Sequence, residues 1–393
     1  MKVLIVHNQY QQRAGEEAVV AAEAQLLRSR EHEVREYLDD NHRISGMNHF
    51  GVGIQTIWND SSRKKLGALL MEFQPDLVHF HNIFPLISPS AYSACQEFSI
   101  PVVQTLHNYR LLCPNGTLYR DGAPCEECLS RRLKWNGVLH SCYRNSKLAT
   151  MAVATMLVVH HSLGTWKEKV TRYIALSEFS RRKFVEGGFQ ASKISTKPNF
   201  VSPDPGIRQS PGDHCLFVGR LSVEKGPDLL LQTWSKVSRT IPLRIVGDGP
   251  LRGMLEQEKE AFELDNVVFS GALERHLVLS EMKRARFLVV PSRCYENFPL
   301  VVAEAFACGV PVIAPRLGAT GEIVRDGVTG LHFEPASAED LAKKVEWAWT
   351  HHSAMEEIGR AARAEFEARY TGERNYEILM QIYEKALSTS VLA

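Results

Sequence analysis

Residues 286–305 read RFLVVPSRCYENFPLVVAEA, and this stretch decides the fold class. Its first seven residues form an apolar run with β-branched members, which is typical of a buried strand. A short polar loop follows, and Pro299 is well placed as the first residue of a helix, where its missing N–H does no harm. The stretch therefore predicts a strand, a loop and a helix that together carry two carboxylates, Glu296 and Glu304.

The same alternation of strand and helix runs through the whole chain. Short apolar runs alternate with longer amphipathic stretches, which predicts parallel sheets covered by helices on both faces. The predicted strands are residues 2–7, 32–37, 76–81, 101–107 and 172–177 in the first half, and 215–221, 243–249, 266–271, 286–292 and 311–315 in the second. The fold class is therefore α/β, with doubly wound, Rossmann-like domains.

A break in this pattern separates the two halves of the chain. Residues 198–213 contain four prolines and two glycines and show little periodicity, as expected of a linker. At 393 residues the chain is long enough for two domains, each with its own core. We expect an N-terminal domain at 1–200, a second domain at 213–372, and a C-terminal helix at 373–393 that could pack back onto the N-terminal domain.

Composition excludes several classes of protein. The formal net charge is +1, so there is no general electrostatic argument for a nucleic-acid partner. The longest apolar run, residues 148–159, is too short to span a bilayer, and the apolar N-terminus is too short for a secretory signal. We therefore expect a cytoplasmic protein whose cysteines are reduced or bound to metal.

Cations follow the first strand of the second domain. Arg220 and Lys225 lie in the loop GRLSVEKG, after Gly219 and just ahead of a predicted helix. Two cations beside the N-terminal amides of a helix suit a diphosphate. The alternative is a pair of solvated surface cations, which the position between strand and helix disfavours.

The quoted stretch adds hydrogen-bonding groups at the same edge of the predicted sheet. The amides of Asn297, Phe298 and Leu300 would form a nest for an anion or a hydroxyl group. Glu296 precedes the helix, and Glu304 lies about a turn and a half further along it. A carboxylate can accept two hydrogen bonds from a vicinal diol. The arrangement predicts a ligand with hydroxyl groups at both ends and phosphate between them, as in a nucleotide sugar.

This combination resembles the retaining glycosyltransferases of the GT-B fold, and more narrowly glycosyltransferase family 4 (glycosyl transferases group 1). The resemblance covers essentially the whole chain, and it implies two Rossmann-like domains that face each other across a cleft. The first domain would be the acceptor side and the second the donor side. The residues that carry the resemblance are Gly219-Arg220-Leu221, Glu224-Lys225-Gly226, Glu296, Glu304 and the segment 326–330.

The resemblance implies a role for each matching residue. Arg220 and Lys225 would hold the donor diphosphate. Glu296 would contact the transferred sugar, and Glu304 would bind the nucleotide ribose. His107, at the end of the predicted strand 101–107, matches a cleft histidine that contacts the donor sugar. The predicted catalytic groups are His107, Arg220, Lys225 and Glu296, and the predicted donor-binding residues are Gly15, Gly219, Asn297, Phe298, Pro299, Leu300 and Glu304.

The implied reaction moves a sugar from a nucleoside diphosphate sugar to a hydroxyl group of a glycan or a lipid-linked saccharide, with retained anomeric configuration. Such a reaction belongs to the synthesis of cell-surface polysaccharides or glycoconjugates. It needs no metal or other cofactor, since cations and a helix dipole stabilise the leaving phosphate. Asn297 is a departure, because the family often has glycine at that position.

Two other functions fit the same fold. One is a nucleotide-sugar epimerase or a phosphorylase, although no separate phosphate site or pyridoxal lysine is evident. The other is a non-catalytic scaffold that binds sugar nucleotides. The sequence contains all four of Arg220, Lys225, Glu296 and Glu304, which argues against a scaffold. A site that no longer catalyses a reaction would not need to keep these residues.

Two segments of the first domain are further candidates for the site. Gly15 begins a predicted helix with acids in its first turn, a favourable place for them. Related proteins have a glycine-rich loop there. In this chain, Ala14 stands in the place of one of those glycines. His79, His81 and Asn82 end the predicted strand 76–81 and have either a structural role or a place on the acceptor side.

Residues 108–145 form an insertion that is rich in cysteines and turn residues. Cys113, Cys125, Cys128 and Cys142 follow the spacing C-x11-C-x2-C-x13-C, which fits a structural zinc site. Free thiols or a disulfide pair are the alternatives. Trp135 and the basic residues of the insertion predict either contact with a lipid-linked acceptor at the inner membrane face or a solvated basic loop. Those basic residues are Arg131, Arg132, Lys134 and Arg144.

Overall fold

The computed structural model describes residues 1–11 and 15–390. The chain divides into two compact units. The first comprises residues 1–118, 125–198 and the chain from residue 375 onward, and the second comprises residues 119–124 and 199–374. The Pro-rich break therefore contains the boundary between the units, while six residues of the cysteine-rich insertion group with the second unit.

The first unit contains a sheet of six parallel strands. In space the strands run β2-β1-β3-β4-β7-β8, with the ranges β1 (Lys2–Gln9), β2 (Glu33–Asp40), β3 (Leu77–Phe80), β4 (Val102–Leu106), β7 (Arg172–Ala175) and β8 (Ile194–Thr196). A short antiparallel hairpin, β5 (Tyr119–Arg120) and β6 (Ala123–Pro124), belongs to the residues that group with the second unit. The strand order of the six-stranded sheet reverses between β1 and β3, where ligands bind in doubly wound folds.

The second unit contains another sheet of six parallel strands. In space they run β11-β10-β9-β12-β13-β14, with the ranges β9 (His214–Val218), β10 (Leu243–Val246), β11 (Val267–Gly271), β12 (Ala285–Val289), β13 (Val312–Pro315) and β14 (Gly330–Phe333). The order reverses between β9 and β12, so the loops after these two strands meet at the switch point of the sheet.

Helices connect the strands in both units, as crossovers between parallel strands require. Those of the first unit are α1 (Gly15–Ser29), α2 (His49–Ile57), α3 (Asp60–Phe73), α4 (Ser90–Glu97), α5 (Trp135–Leu139), α6 (Lys147–Ser162), α7 (Thr165–Glu168) and α8 (Glu178–Glu186). Those that follow are α9 (Pro227–Trp234), α10 (Arg252–Ala261), α11 (Arg275–Arg284), α12 (Leu300–Ala307), α13 (Gly318–Ile323), α14 (Ala338–Thr350), α15 (His352–Arg369) and α16 (Gly372–Ser390). None of the helices within the described ranges is long and apolar enough to cross a bilayer.

All ten predicted strands coincide with observed strands, but β8 and β14 of the two large sheets and the hairpin of β5 and β6 were not predicted. The two strands of the large sheets can be explained. Both lie at the edge of a sheet and are only three and four residues long. Such short runs contain too few residues for an alternating pattern to stand out.

The helix α16 completes the core of the first unit. Its residues Leu379, Ile382 and Tyr383 are buried in one cluster with Val3 and Ile5 of β1. These positions repeat at the spacing of one helix face, which explains why an amphipathic helix from the far end of the sequence can cover this sheet.

Candidate functional site

The loops after β9 and β12 bring a lysine and a glutamate together in the second unit. Lys225 ends a 3-10 turn that follows β9, and Glu296 lies in the loop that follows β12. Because β9 and β12 are neighbours in the sheet, Lys225 Nζ lies 2.6 Å from Glu296 Oε1. The Ser292 hydroxyl donates a second hydrogen bond to the same carboxylate oxygen, at 2.7 Å.

The pair is ionised near neutral pH. Burial would raise the pKa of Glu296, but Lys225 and the Ser292 hydroxyl hold it below its usual value. Burial would likewise lower the pKa of Lys225, but Glu296 raises it. The side chain of Lys225 is 32% exposed and that of Glu296 is 12% exposed. An anionic ligand therefore still has access to the ammonium group of Lys225.

Gly226 allows the two loops to meet. It has φ +65, and a Cβ at this position would collide with the carbonyl oxygen of Pro291. On the same side, the backbone N–H of Arg293 donates to the carbonyl oxygen of Glu224 at 2.9 Å. Arg293 Nη2 also lies 2.6 Å from Asp228 Oδ2 in the first turn of α9. The pairing of Arg293 with Asp228 has no signal in the sequence, because the two residues are far apart along the chain.

The turn after β10 supports the loop that carries Arg220. Gly247 has φ +140, and a side chain there would collide with the carbonyl oxygen of Gly219. A Cβ on Gly249 would meet the backbone of Leu221. These two glycines therefore allow the backbone of residues 219–221 to pack closely against the turn. Arg220 itself is exposed to solvent.

The prediction that Pro299 is the first residue of a helix is wrong by one position. Pro299 has the extended ψ of 101 and occupies the N-cap, and α12 begins at Leu300. The first amides of any helix lack intrahelical acceptors, so the helix start still presents N–H groups. Asn297 and Phe298 are buried directly before it.

Glu304 lies on α12 and has a cationic neighbour that the sequence analysis did not pair with it. Arg275 Nε lies 3.3 Å from Glu304 Oε1. Burial raises the pKa of Glu304, and Arg275 only partly offsets that effect. Arg275 is the first residue of α11, so the start of this helix supplies a positive charge beside Glu304.

Two histidines meet at the ends of β3 and β4 in the first unit. His81 Nδ1 lies 2.9 Å from His107 Nε2, and the rings stack with centroids 5.2 Å apart. Burial lowers the pKa of His107 far below its ordinary value, and the nearby His81 and His7 lower it further. His107 is therefore neutral near pH 7. A pocket with about 460 Å³ of empty space lies beside the pair, and Asn82, Asn108 and Arg110 also line it.

A buried carboxylate lies behind this pair. Glu23 of α1 is fully buried, and its Oε2 is 2.7 Å from Lys197 Nζ. Its Oε1 is 3.0 Å from His79 Nδ1 and 3.4 Å from His81 Nε2. Burial would raise the pKa of Glu23, but Lys197 and His79 hold it well below its usual value. A single acid in an amphipathic helix is usually on its surface, so the sequence offered no signal for this group.

Only one set of residues within 1–11 and 15–390 has three ligand atoms close enough for a metal. It consists of Glu23, His79 and His81, whose ligand atoms lie within 4.8 Å of one another. The Lys197 ammonium group already neutralises the carboxylate and would repel a metal cation. This set is therefore better described as a polar network than as a metal site.

The four cysteines of the insertion do not form such a set. Cys113 and Cys128 are buried, Cys125 and Cys142 are half-buried, and no two of the four form a disulfide. Burial raises the pKa of Cys128, and its neighbour Cys113 raises it further. A tetrahedral zinc site needs all four sulfurs about 2.3 Å from one ion. No three of these four sulfurs lie within 4.8 Å of one another, and the structural zinc stays a prediction.

Gly15 is the first residue of α1, as predicted, with Glu16 and Glu17 in the first turn. Burial raises the pKa of Glu16 to about 8, and the neighbouring Glu17 contributes. The loop position of Ala14 lies outside the described residues.

Comparisons with known proteins agree with this geometry. The Glycosyltransferase Family 4 model matches residues 8–205, and the model named Glycosyl transferases group 1 matches residues 208–365. Glycogen synthase of Mycobacterium tuberculosis is 28% identical over 326 residues, which are 81% of this chain and 71% of that protein. An uncharacterized glycosyltransferase of Methanocaldococcus jannaschii is 32% identical over 170 residues, 43% of this chain and 47% of its relative. The match thus spans about half of the archaeal protein.

Solved structures with low identity share the fold. HepE of Anabaena, in complex with UDP-glucose, superposes with a TM-score of 0.70 at 18% identity, over 99% of this chain and 100% of that one. Sucrose-phosphate synthase of Thermosynechococcus elongatus superposes with a TM-score of 0.73 at 15% identity, over 99% of both chains. With two doubly wound units and family models that match both of them, the chain belongs to Glycosyltransferase Family 4 and is a glycosyltransferase of the GT-B fold.

Proposed function

We propose that this enzyme transfers a sugar from a nucleoside diphosphate sugar to a hydroxyl group of a glycan or a lipid-linked saccharide, with retained anomeric configuration. The observation that carries the proposal is the ion pair of Lys225 and Glu296 at the switch point of the second sheet. It joins a cation suited to phosphate and a carboxylate suited to sugar hydroxyl groups. UDP is the nucleotide to test first, because HepE of Anabaena was solved with UDP and with UDP-glucose.

The charges of these residues suit the proposed chemistry. The bond between the anomeric carbon and the leaving phosphate oxygen breaks, and the acceptor oxygen bonds to that carbon on the same face. The acceptor proton passes to the leaving phosphate. Lys225 and Arg220 would stabilise the charge on that phosphate. Glu296 is paired with Lys225 and Ser292, so it is a weak nucleophile and a good acceptor for sugar hydroxyl groups.

Thermal unfolding with nucleotides tests the donor part of the proposal. A ligand at a hundred times its dissociation constant adds about 2.7 kcal/mol to the free energy of unfolding. We expect a shift with UDP or with one of GDP, ADP and TDP, and loss of that shift in Arg220→Ala. Arg360→Ala, an exposed arginine elsewhere in the second unit, is the control and should keep the shift. No shift with any nucleotide would favour the scaffold.

Product analysis separates transfer from the other reactions on this fold. A transferase releases free nucleoside diphosphate in proportion to added acceptor. An epimerase converts the donor without releasing the nucleotide, and a phosphorylase requires inorganic phosphate. The proposed acceptor is a glycan or a lipid-linked saccharide. Acceptors of both kinds should therefore be assayed with the nucleotide sugar whose nucleotide raises the unfolding temperature.

We propose further that the first unit contacts an anionic membrane surface through α2, α5 and α6. The helix α6 packs against both α2 and α5, so the three form one surface. Residues 41–59 and 129–167, which contain these helices, include no Asp or Glu. Their basic residues would favour anionic lipids. The large exposed apolar side chains within these two ranges are Phe50, Ile54, Trp58, Leu133, Trp135, Leu139, Leu148, Met151 and Leu163.

One of the predicted basic residues does not belong to this surface. Lys134 is buried, and its Nζ donates a hydrogen bond to the carbonyl oxygen of Cys128 at 2.7 Å. Arg131 and Arg132 remain exposed beside Trp135. The apolar run 148–159 lies within α6, where Leu148 faces solvent and the buried side of the helix packs into the unit.

Vesicle sedimentation tests the membrane contact. We expect binding to vesicles that contain phosphatidylglycerol but not to pure phosphatidylcholine, with release at high salt. The double variant Phe50→Ser with Ile54→Ser should bind more weakly. Met71→Ser is the matched control, since Met71 is an exposed apolar residue on another helix of the same unit. Equal binding of the double variant and the control would refute this surface.

A further inference from the structure

The pocket at the ends of β3 and β4 in the first unit contains one permanently charged side chain. The pocket has about 460 Å³ of empty space and is lined by parts of residues 81–92 and 104–111, with Thr56 of α2 and Met156 of α6. Among the described residues that line it, Arg110 is the only Lys or Arg, and none is Asp or Glu. An anion in this pocket would therefore meet a cation and no opposing carboxylate.

Several other polar side chains of the pocket are already used by the fold. The amide NH₂ groups of Asn82 and Gln104 donate to backbone carbonyl oxygens. The NH₂ group of Asn108 donates to a tyrosine hydroxyl at 3.1 Å, and the Thr56 hydroxyl donates to a carbonyl oxygen of its own helix at 2.8 Å. These groups stabilise the walls of the pocket, which makes Arg110 the better candidate for binding a ligand.

The side chain of Arg110 is held in place by aromatic rings and by backbone. Its guanidinium carbon lies 4.6 Å from the centre of the Phe84 ring and 4.9 Å from that of the Tyr143 ring, and its Nη1 donates to the carbonyl oxygen of Pro114. Gly116 has φ +82, and a Cβ there would come within 3.0 Å of the guanidinium carbon. Rings contact a guanidinium group favourably through its charge and its plane. Because Arg110 is already held, it loses little conformational freedom when a ligand binds.

The positive charge of Arg110 is not neutralised by a carboxylate. None of the ion pairs in the described part of the chain includes Arg110, and only one of its N–H groups has an acceptor there. Glu16 is close enough to interact with it electrostatically, but burial raises the pKa of Glu16 to about 8. The carboxyl group of Glu16 is therefore mostly protonated near pH 7, and the charge of Arg110 remains available to a ligand.

We propose that Arg110 binds an oxyanion group of the acceptor, a phosphate or a carboxylate, in this pocket. The guanidinium group offers parallel N–H donors that match the oxygens of either anion. A neutral saccharide would leave these donors unpaired, so the pocket should discriminate against it. That the bound molecule is the acceptor rests on the proposed function, whereas anion binding follows from the pocket and can be measured without a donor.

Ligand-observed NMR with small sugars tests the anion binding. Glucose 6-phosphate, glucuronate and glucose are the probes, because they carry a phosphate, a carboxylate and neither. We expect the unaltered protein to bind at least one of the two anionic sugars about tenfold more tightly than glucose, and the tighter of the two identifies the kind of anion. Equal binding of all three probes, or binding of none, would overturn the proposal.

Substitutions of arginine locate the anion. Arg110→Gln should remove the preference for the anionic sugar. Arg144→Gln is the matched control and should keep it, because Arg144 also lies over the Tyr143 ring, at 5.6 Å, but is exposed and does not line the pocket. Arg110→Lys keeps the charge without the parallel donors and should weaken the binding several-fold. If Arg110→Gln does not fold, an unchanged preference in Arg110→Lys would refute the proposal.

The variant Arg220→Ala separates this inference from the donor proposal. Arg220 lies in the second unit, so its loss should remove the nucleotide shift and leave the binding of anionic sugars intact. Loss of the anion preference in Arg220→Ala, with no loss in Arg110→Gln, would show that the sugar anion binds elsewhere and would refute the role of Arg110. If no nucleotide shifts the unfolding temperature but anionic sugars still bind through Arg110, only the donor proposal fails.

Discussion

Glu296→Gln should separate nucleotide binding from sugar transfer. The change removes the negative charge but keeps the size of the side chain and its hydrogen bond with Ser292. A hydrogen bond to a charged group contributes about 1.5–3 kcal/mol when buried, and exposed ion pairs contribute about 0.2–1 kcal/mol. The side chain of Lys225 is 32% exposed, so we expect the free energy of unfolding to fall by about 1 kcal/mol.

The expected effect on nucleotide binding has the opposite sign. The Lys225 ammonium group lies 2.6 Å from Glu296 Oε1, so a diphosphate must share this cation with the carboxylate. Removing the competitor should leave the affinity for UDP unchanged or raise it by up to about tenfold, which corresponds to about 1.4 kcal/mol. Transfer should fall by about a hundredfold or more, because a neutral amide stabilises the reacting sugar less than a carboxylate does.

Calorimetry with UDP and a coupled assay for released nucleoside diphosphate would measure the two effects. Ser292→Ala is the control, since it removes the hydrogen bond and keeps the ion pair, and it should lower transfer only a few-fold. A loss of UDP affinity in Glu296→Gln that matches its loss of transfer would refute this reasoning. It would mean that Glu296 supports the nucleotide directly and does not compete with it for Lys225.

Four further outcomes are expected. Gly226→Ala should lower the unfolding temperature and the UDP affinity together, because its φ of +65 and the nearby backbone leave no space for a methyl group; unchanged affinity would count against the loop contact. The pKa values of His7 and His79 are lowered by burial to about 3 and about 4, so the unfolded chain binds more protons below pH 6.5. Chemical unfolding should thus show stability falling by about 1.4 kcal/mol per pH unit for each ring as the pH drops from 6.5 toward 4. Glu16 has a pKa raised to about 8, so Glu16→Gln should be more stable than the parent above pH 8 and equal to it below pH 4.5 in the same assay. Arg275→Ala should raise the pKa of the neighbouring carboxyl group on α12 further and weaken UDP binding at pH 7 more than at pH 9, as calorimetry at both values would show.

Periodicity and chain position made most of the fold predictable. Strands such as β1 and β12 are long apolar runs bounded by loops, and a parallel sheet buries both of their faces. The C-terminal pattern also predicted an amphipathic helix. The edge strands β8 and β14 escaped detection because three or four residues fit a strand and a loop equally well.

The candidate site was predictable only where its residues follow strands. Arg220, Lys225 and Glu296 stand in loops next to recognisable strand ends, so sheet topology alone places them at one edge. Glu23 and Lys197 lie far apart in sequence, and their contact depends on tertiary packing that no local pattern encodes. Cysteine spacing predicted a metal site but contains no information on where the four sulfurs point.

The contribution of α16 to the core of the first unit has a consequence for biosynthesis. The hydrogen bond between His79 and Tyr383 joins residues separated by 304 positions. During translation, α16 is synthesised only after the whole second unit. The first unit can therefore bury the apolar face of its sheet only once the second unit has been translated. Because non-local contacts slow folding and leave apolar surface exposed in the meantime, the nascent first unit is prone to aggregation until α16 has been synthesised. Residues 1–198 expressed alone would keep that surface uncovered, so separate production of this unit requires α16 to be fused or supplied in trans.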